Sequence, residues 1–354
     1  MDTVRKIDVL IIGAGPAGSV CGSLLQQAGV ECAIVDHATF PRDKVCAGGL
    51  TVKAWRLLDM LLPGIEYDFR PITRMRIQYE DDAVCEFQAE YPIRMTYRKE
   101  FDYSLLQYYL QHGGELIKAS FARFEQQSDG RILVTMKSGQ QFSCRYLVGA
   151  DGGNSHIRRQ LHGPVNMKHH PLFLEHYVEG EHDDDVFVHF SHKYKPGCFY
   201  KFSSKGRDMY GFVSEDVNEN VPLLKQKFRE ALSRVNAPEG TLRGAYIPLE
   251  TVESHIPGVI LIGDAGGFAN KLTGEGLYDA FKTAYNAKQA IVEGKSFHDT
   301  NSAVFFKMKS EEKMFNFFFS PFGFRFVRWL LRHPGLCKWA FDAKMKRETF
   351  RVKQ

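Results

Sequence analysis

The 354-residue chain is short of paired cysteines, of long apolar runs and of a strong charge of either sign. Its seven cysteines (21, 32, 46, 85, 144, 198 and 337) are odd in number and scattered, with no Cys-x-x-Cys pair. That pattern excludes a disulfide framework and a zinc knuckle, and fits a reducing cytoplasm. The first apolar run, Val9 to Ile12, breaks at glycine, whereas a secretory leader needs about 7 to 15 apolar residues; none is expected. Lys plus Arg number 46 against 42 for Asp plus Glu, and a net +4 is too mild to argue for a nucleic-acid partner. Hydrophobic residues make up 44% and charged residues 25%, which excludes disordered, collagenous and repeat compositions. The length exceeds the roughly 250 to 300 residues at which one core stops growing, so two packed domains are expected.

What is present begins at once. Ile7 to Ile12 is a short buried-strand run, "GAGPAG" follows at 13 to 18, and Ala17, Val20, Leu24, Leu25 and Ala28 then fall on one helical face ending at Gly29. A second run, Cys32 to Val35, ends in Asp36. Strand, glycine turn, helix, strand and terminal acid within some 30 residues predict a dinucleotide-binding βαβ unit. In that reading Gly13 makes the tight turn, Gly15 lets backbone approach a pyrophosphate, and Gly18 lets helix and strand pack closely. The helix N-terminus faces the phosphates, and Asp36 accepts from ribose hydroxyls.

Two further stations repeat the theme. Tyr146 to Gly149 is a strand leading to Ala150-Asp151-Gly152, then Ser155, Arg158 and Arg159; taken alone, the Asp-Gly pair is also compatible with a hairpin turn. Val259 to Ile262 is another buried-strand run, followed by Gly263-Asp264-Ala265-Gly266-Gly267, by "LTGEGL" at 272 to 277 and by a helical period from Leu277. An acid at a strand tip and a second helix N-terminus predict the other half of one ligand site, with Asp264 accepting from a polyol hydroxyl. His169, His170, His182, His189 and His192 lack a metal-ligand motif, and no metal is expected.

The set "GAGPAG" with Asp36, "GADG" at 149 to 152 and "GDAGGFANKLTGEGL" at 263 to 277 resembles the FAD-binding set of the para-hydroxybenzoate-hydroxylase-like flavoproteins, and "FPRDKVCAGGL" at 40 to 50 with "LTGEG" resembles the geranylgeranyl reductase family. The resemblance implies an α/β fold: a discontinuous Rossmann-like FAD-binding domain (1–65, 95–165 and 255–300), a β-rich substrate domain (66–94 and 166–254) and a C-terminal helical segment (301–354). It implies that Gly13, Gly15, Ala17, Gly18 and Asp36 hold the ADP half of FAD, that Asp264 meets the ribityl and pyrophosphate region, and that Gly274 and Gly276 lie under the flavin ring. Arg98 is implied to contact FAD, the alternative being a helix-flanking surface arginine; Asp151 is implied to support the same site, or to be structural. Cys46 matches the cysteine of the family's Cys-Gly-Gly element, with Ala47 in place of its first glycine, against the alternative of one more buried thiol. The family's Tyr-x-Trp-x-Phe-Pro-like strand corresponds to "PGCFYKFSSKG" at 196 to 206, which lacks the tryptophan and proline; Phe199, Tyr200 and Phe202 are the candidate substrate-lining residues, or ordinary strand aromatics.

The function so implied is a reductase that saturates C=C bonds of a prenyl or other lipophilic substrate, with FAD as cofactor and NAD(P)H as electron donor, though no second glycine fingerprint marks a nicotinamide site. Cys46 and Glu275 are the candidate proton donors. A single-component FAD monooxygenase and a flavin-containing binding protein without turnover are the rivals. Residues 301 to 354 carry 12 Lys/Arg against 4 Asp/Glu, and 13 aromatics. The longest uncharged stretch there, Met314 to Phe324, is far below the roughly 20 residues of a membrane-spanning helix. Aromatics interleaved with Arg325, Arg328, Arg332 and Lys338 suit peripheral contact with the inner face of a membrane, or a helical cap over the substrate site whose aromatics are core.

Overall fold

The computed structural model describes residues 4–164, 171–180, 183–194, 197–204, 206–214, 220–271 and 273–352, with side chains to residue 346. Strand β1 (Arg5–Ile12), helix α1 (Pro16–Gln27) and β2 (Cys32–Asp36) form the expected unit. The short strand β3 (Gly49–Leu50), α2 (Val52–Leu61) and the hairpin β4 (Arg70–Tyr79) and β5 (Cys85–Met95) come next. The chain continues through α3 (Arg98–Gln111), β6 (Glu115–Lys118), β7 (Phe121–Gln126), β8 (Ile132–Met136), β9 (Gln141–Gly149) and α4 (His156–His162). Strand β10 (Leu172–Glu179) and the meander β11 (Asp185–Phe190), β12 (Gly197–Ser204) and β13 (Arg207–Ser214), which brings β13 back beside β10, are followed by α5 (Val221–Arg234) and β14 (Thr241–Tyr246). Strand β15 (Val259–Leu261), α6 (Leu277–Glu293) and three terminal helices, α7 (Phe297–Phe318), α8 (Pro321–Leu331) and α9 (Pro334–Val352), complete it.

The first sheet runs β6-β2-β1-β9-β8-β7, with β15 pairing in parallel with the C-terminal half of β9. Val9 and Ile11 face a core shared with α1, α2, α3 and α6, while Leu10 and Ile12 face the opposite one. Burial on both faces is why β1 reads as a continuous apolar run rather than an alternating one. The Asp151-Gly152 pair does not turn a hairpin: β9 runs on into α4, whose first turn is capped by the Ser155 hydroxyl.

The second sheet runs β14-β10-β13-β12-β11-β4-β5-β3. Its strands come from residues 70–95 and 172–246, except β3, where Gly49 and Leu50 pair with Met95 and Arg94. The "CAGGL" segment therefore bridges the two sheets, although sequence reading assigned it wholly to the first. One face of this sheet packs on α5 through Phe199, Phe212 and Phe228. The other is covered by α7 to α9, whose Phe315, Phe319, Phe324 and Leu331 bury against Ile72, Met75 and Phe87. These aromatics form the cap. Three of the four cations assigned to a lipid surface are paired within the protein: Arg328 forks onto Asp82 at 2.7 and 2.9 Å, Arg332 lies 4.0 Å from the same carboxylate, and Lys338 meets Asp342 at 2.6 Å.

Gly18 gives a direct test of this packing. A Cβ there would stand 1.9 Å from the Gly13 carbonyl oxygen. Gly18→Ala must push α1 away from the strand, and is expected to destabilise the fold by at least about 1–3 kcal/mol, read as a lower urea midpoint.

Candidate functional site

The end of β1 is a turn built for glycine. Gly13 has φ +108°, and a Cβ there would stand 2.3 Å from the carbonyl oxygen of Ala150, just past β9. In front of Gly15 the nearest atom to an added Cβ is the tip of Arg42, at 3.4 Å, so backbone there is open to a ligand. No side chain caps the first turn of α1, which leaves its N–H groups and positive dipole end available to an anion. Asp36 accepts from the N–H groups of Ala14 at 2.7 Å and Ala38 at 2.8 Å, fixing its carboxylate beside the turn with lone pairs to spare. Ala17 lies 2.9 Å from where a Cβ of Gly263 would stand, so the same helix end touches the third motif.

That motif follows β15 as a single tight helical turn over residues 263–266. The Asp264 carboxylate makes no hydrogen bond to the protein among the described residues, and its Oδ1 lies 3.2 Å from where a Cβ of Gly276 would stand. It is free to accept from a hydroxyl. The loop beyond is held by its own backbone: Asn270 N–H donates to the Glu275 carbonyl and Gly274 N–H to the Asn270 carbonyl, each at 2.9 Å. Gly274 has φ +67°, and α6 starts after Gly276 with no side-chain cap.

Glu275 does not fit the role of proton donor. Its carboxylate takes the Thr51 hydroxyl and, at 2.8 Å, the Lys53 ammonium, both from the start of α2. Burial pushes this carboxyl up, but Lys53 and Thr51 outweigh it and hold Glu275 below its ordinary range. It is an anion at neutral pH. The pair belongs to a larger buried set, in which the Tyr278 ring lies between the ammonium groups of Lys53 and Lys307, and Lys307 meets Asp279 at 2.8 Å. Its effect is to anchor the 270–276 loop to α2 and α7.

Arg98 is not a surface arginine: it is buried and forks onto Asp102 at 2.7 and 3.1 Å. Burial opposes its charge, but Asp102 and Cys46 outweigh that and raise it further above its ordinary value. The guanidinium thus links α3 to the Cys46 loop. Cys46 is half-buried; its thiol accepts from Gly48 N–H at 3.4 Å, and its own N–H donates to the Tyr177 hydroxyl at 3.1 Å. Gly48, at φ +76°, sits where a Cβ would meet the Thr96 carbonyl at 2.1 Å. Asp151 commits one oxygen to the start of α4, accepting from His156 N–H at 2.8 Å, while its other oxygen has no hydrogen-bond partner among the described residues.

The three candidate substrate aromatics do not share a face. Phe199 points away from Tyr200 and Phe202 and is fully buried against Phe212 and Phe228 under α5. Strand alternation forces this, and Phe199 is therefore core, not lining. Tyr200 crosses Gly211, where a Cβ would stand 2.1 Å from its ring, and Phe202 packs toward Val186 and the cap. Among the described residues no group of His, Cys, Asp and Glu has the arrangement of a metal site. His189 and His192 hydrogen-bond the Glu80 carbonyl and the Tyr79 hydroxyl, each at 2.9 Å. His169, His170 and His182 lie outside the described residues.

Residues 6–174 match the FAD binding domain family. The chain is 27% identical over 319 residues to digeranylgeranylglycerophospholipid reductase 1 of Methanopyrus kandleri, covering 84% of each chain. It is 25% identical over 327 residues to the chloroplastic geranylgeranyl diphosphate reductase of Oryza sativa subsp. japonica, covering 82% of this chain and 68% of that one. The chain is an FAD-dependent oxidoreductase similar in sequence to geranylgeranyl reductases. The fold of this oxidoreductase is also that of a geranylgeranyl bacteriochlorophyll reductase-like protein from Thermoplasma acidophilum, with TM-score 0.71 and 18% identity over 99% of this chain and 91% of that one.

The oxidoreductase's own geometry fits FAD: an uncapped helix end beside an open Gly15 suits the pyrophosphate, and the unpartnered Asp264 carboxylate suits the polyol. Sequence reading missed Thr51, Lys53, Phe173, Glu175 and Tyr177. A signal existed for two of them: in "LFLEHYVEG", Glu175 and Tyr177 share the parity of Phe173 on a strand buried on both sides.

The ion pair yields a double-mutant test. Lys53→Met leaves a buried carboxylate unpaired and is expected to cost about 3–5 kcal/mol. Adding Glu275→Gln is expected to restore much of that loss, measured as the coupling in a urea-denaturation cycle.

Proposed function

We propose that the protein is a reductase that saturates carbon–carbon double bonds of a prenyl or other lipophilic chain, taking its electrons from NAD(P)H through FAD and meeting its substrate at the inner face of a membrane. The observation that carries the reading is one continuous apolar cluster. Ala47, next to Cys46, packs into the same cluster as Phe202, Val186 and Met75 of the second sheet and Phe315, Phe318 and Phe319 of the cap. An isoprenoid tail is apolar along nearly its whole length, and such a wall is its complement. The names of the relatives, reductases of geranylgeranyl diphosphate and of digeranylgeranylglycerophospholipid, support a prenyl substrate.

Bound FAD, once reduced, supplies a hydride. The protein supplies the rest. Asp36, Gly15 and Asp264 would hold the cofactor, the Lys53–Glu275 pair fixes the loop beside it, and the cap excludes water from the apolar wall. An isolated alkene accepts hydride poorly unless its other carbon is protonated, so a proton donor is required. Glu275, held as an anion, is not that donor.

The outer side of the cap supports the membrane reading. Phe317, Phe322, Phe326 and Trp329 form an exposed stripe, with ring pairs Phe317–Phe322 at 5.9 Å and Phe326–Trp329 at 6.0 Å, flanked by exposed Arg325 and Arg332. No described helix is long and apolar enough to cross a membrane. Aromatics with flanking cations suit the headgroup zone of an anionic leaflet. The seven unpaired thiols support a reducing compartment.

Two measurements test these statements. Protein reduced without oxygen and given detergent-dispersed geranylgeranyl lipid is expected to reoxidise its flavin and yield a hydrogenated product by mass; reoxidation that needs oxygen would favour a monooxygenase instead. Phe322→Ser with Trp329→Ser is expected to weaken sedimentation with anionic vesicles by at least about tenfold, with an unchanged Tm.

A further inference from the structure

We propose that Glu175 and Tyr177, neighbours on one face of β10, are the proton store of this site: Glu175 holds the proton and Tyr177 hands it to the alkene carbon next to the one that gains the hydride. The proposal rests on the reductase reading above.

The placement comes from strand alternation. Leu174 and Val178 point into the core under α5, so Phe173, Glu175 and Tyr177 point the other way. At one end of this row the Phe173 ring lies 3.3 Å from where a Cβ of Gly274 would stand. At the other, the Tyr177 hydroxyl accepts from Cys46 N–H at 3.1 Å. Strand β10 thus spans the two loops on either side of the candidate flavin site, and Glu175 sits between them. The Tyr200 ring reaches toward it from β12 across Gly211, the residue that pairs with both Tyr200 and Glu175.

Glu175 has no stabilising reason to be there. It is buried, it forms no ion pair among the described residues, and its carboxylate hydrogen-bonds the Tyr177 hydroxyl alone. A buried carboxylate with one neutral partner opposes folding, and such groups cluster at functional sites. Burial pushes its carboxyl up to about 6, against the pull of Tyr177 and of the more distant Lys44, Arg207 and Arg98. The groups facing the pair are Lys44 and Cys46 on the loop, Arg98 on α3, Tyr200 on β12, Arg207 on β13, whose guanidinium lies 4.4 Å from the centre of the Tyr177 ring, and Arg243 on β14, the strand partner of Glu175, which lies 5.8 Å from the same ring and pairs with Asp43 at 3.3 Å. Near neutral pH the carboxyl is therefore loaded in part of the molecules.

When Glu175 carries the proton, its O–H donates to the Tyr177 oxygen, which frees the Tyr177 O–H to turn to the substrate. One alkene carbon then gains the hydride that the reduced cofactor gives up in becoming oxidised. The π pair forms a C–H bond at the other carbon with the Tyr177 proton. The Tyr177 O–H bond breaks as the Glu175 proton replaces it, leaving a carboxylate that takes its next proton from water.

The test uses the FAD-loaded full chain. Infrared difference spectra are expected to show a protonated-carboxyl band that titrates near pH 6, absent from Glu175→Gln and retained in Cys46→Ala, which keeps the backbone N–H that holds Tyr177. The rate of prenyl-lipid reduction by pre-reduced enzyme is expected to fall as pH rises through that value. Glu175→Gln and Tyr177→Phe are each expected to lose about 100-fold or more, and Glu175→Gln to lose the pH limb as well. Should Glu175→Gln fail to retain FAD, Tyr177→Phe, which removes one oxygen, carries the rate comparison. A missing band, or a limb and rate kept in the variants of an active enzyme, overturns the store and leaves the reductase reading intact. A wild type that hydrogenates no prenyl lipid overturns both.

Discussion

The structure turns on a backbone-to-backbone contact. Where β1 ends, Gly13 presses against the Ala150 carbonyl at the end of β9, and one turn later Gly18 presses α1 against Gly13 itself. No side chain fits at either place, so the first turn of α1 and the end of β9, far apart in sequence, converge with atomic closeness. Alpha-helix N-termini point their unpaired N–H groups at whatever lies in front, and this contact aims α1 at the same space that Asp36 borders and Asp264 faces. The cofactor half of the site follows from it.

The other half is governed by how charge is buried. Two carboxylates lie beside the Cys46 and 270–276 loops, and their surroundings push them in opposite directions. Glu275 meets Lys53 and a hydroxyl and stays ionised, which suits a structural tether. Glu175 meets, among the described residues, only a tyrosine hydroxyl and is driven toward its neutral form. Environment, not residue type, separates an anchor from an acid.

The second sheet and the terminal helices divide their aromatics by the same logic. Phe315, Phe319 and Phe324 are needed to cover the sheet, and they lie inside the cap. Phe317, Phe322, Phe326 and Trp329 have nothing of this chain to cover, and they lie outside. One segment thus closes the apolar wall and offers a second apolar surface outward. Arg328, which sequence composition counts among the outward cations, instead pins α8 to the β4–β5 hairpin through Asp82.

By itself the sequence determined the parts that depend on short-range physics. Turn glycines, helix periods and buried-strand runs act within a few residues, so β1, α1, β2, the end of β9, β15 and α6 were legible. Only the tertiary structure decided matters of pairing. Which face of β12 carries Phe199, which partner holds Glu275, and what lies beside Cys46 depend on contacts between residues as much as 224 positions apart. Composition leaves such contacts undetermined, because a carboxylate, a thiol or an aromatic ring acquires its role from the neighbour it meets after folding, and the bridging position of β3 between two sheets selects that neighbour.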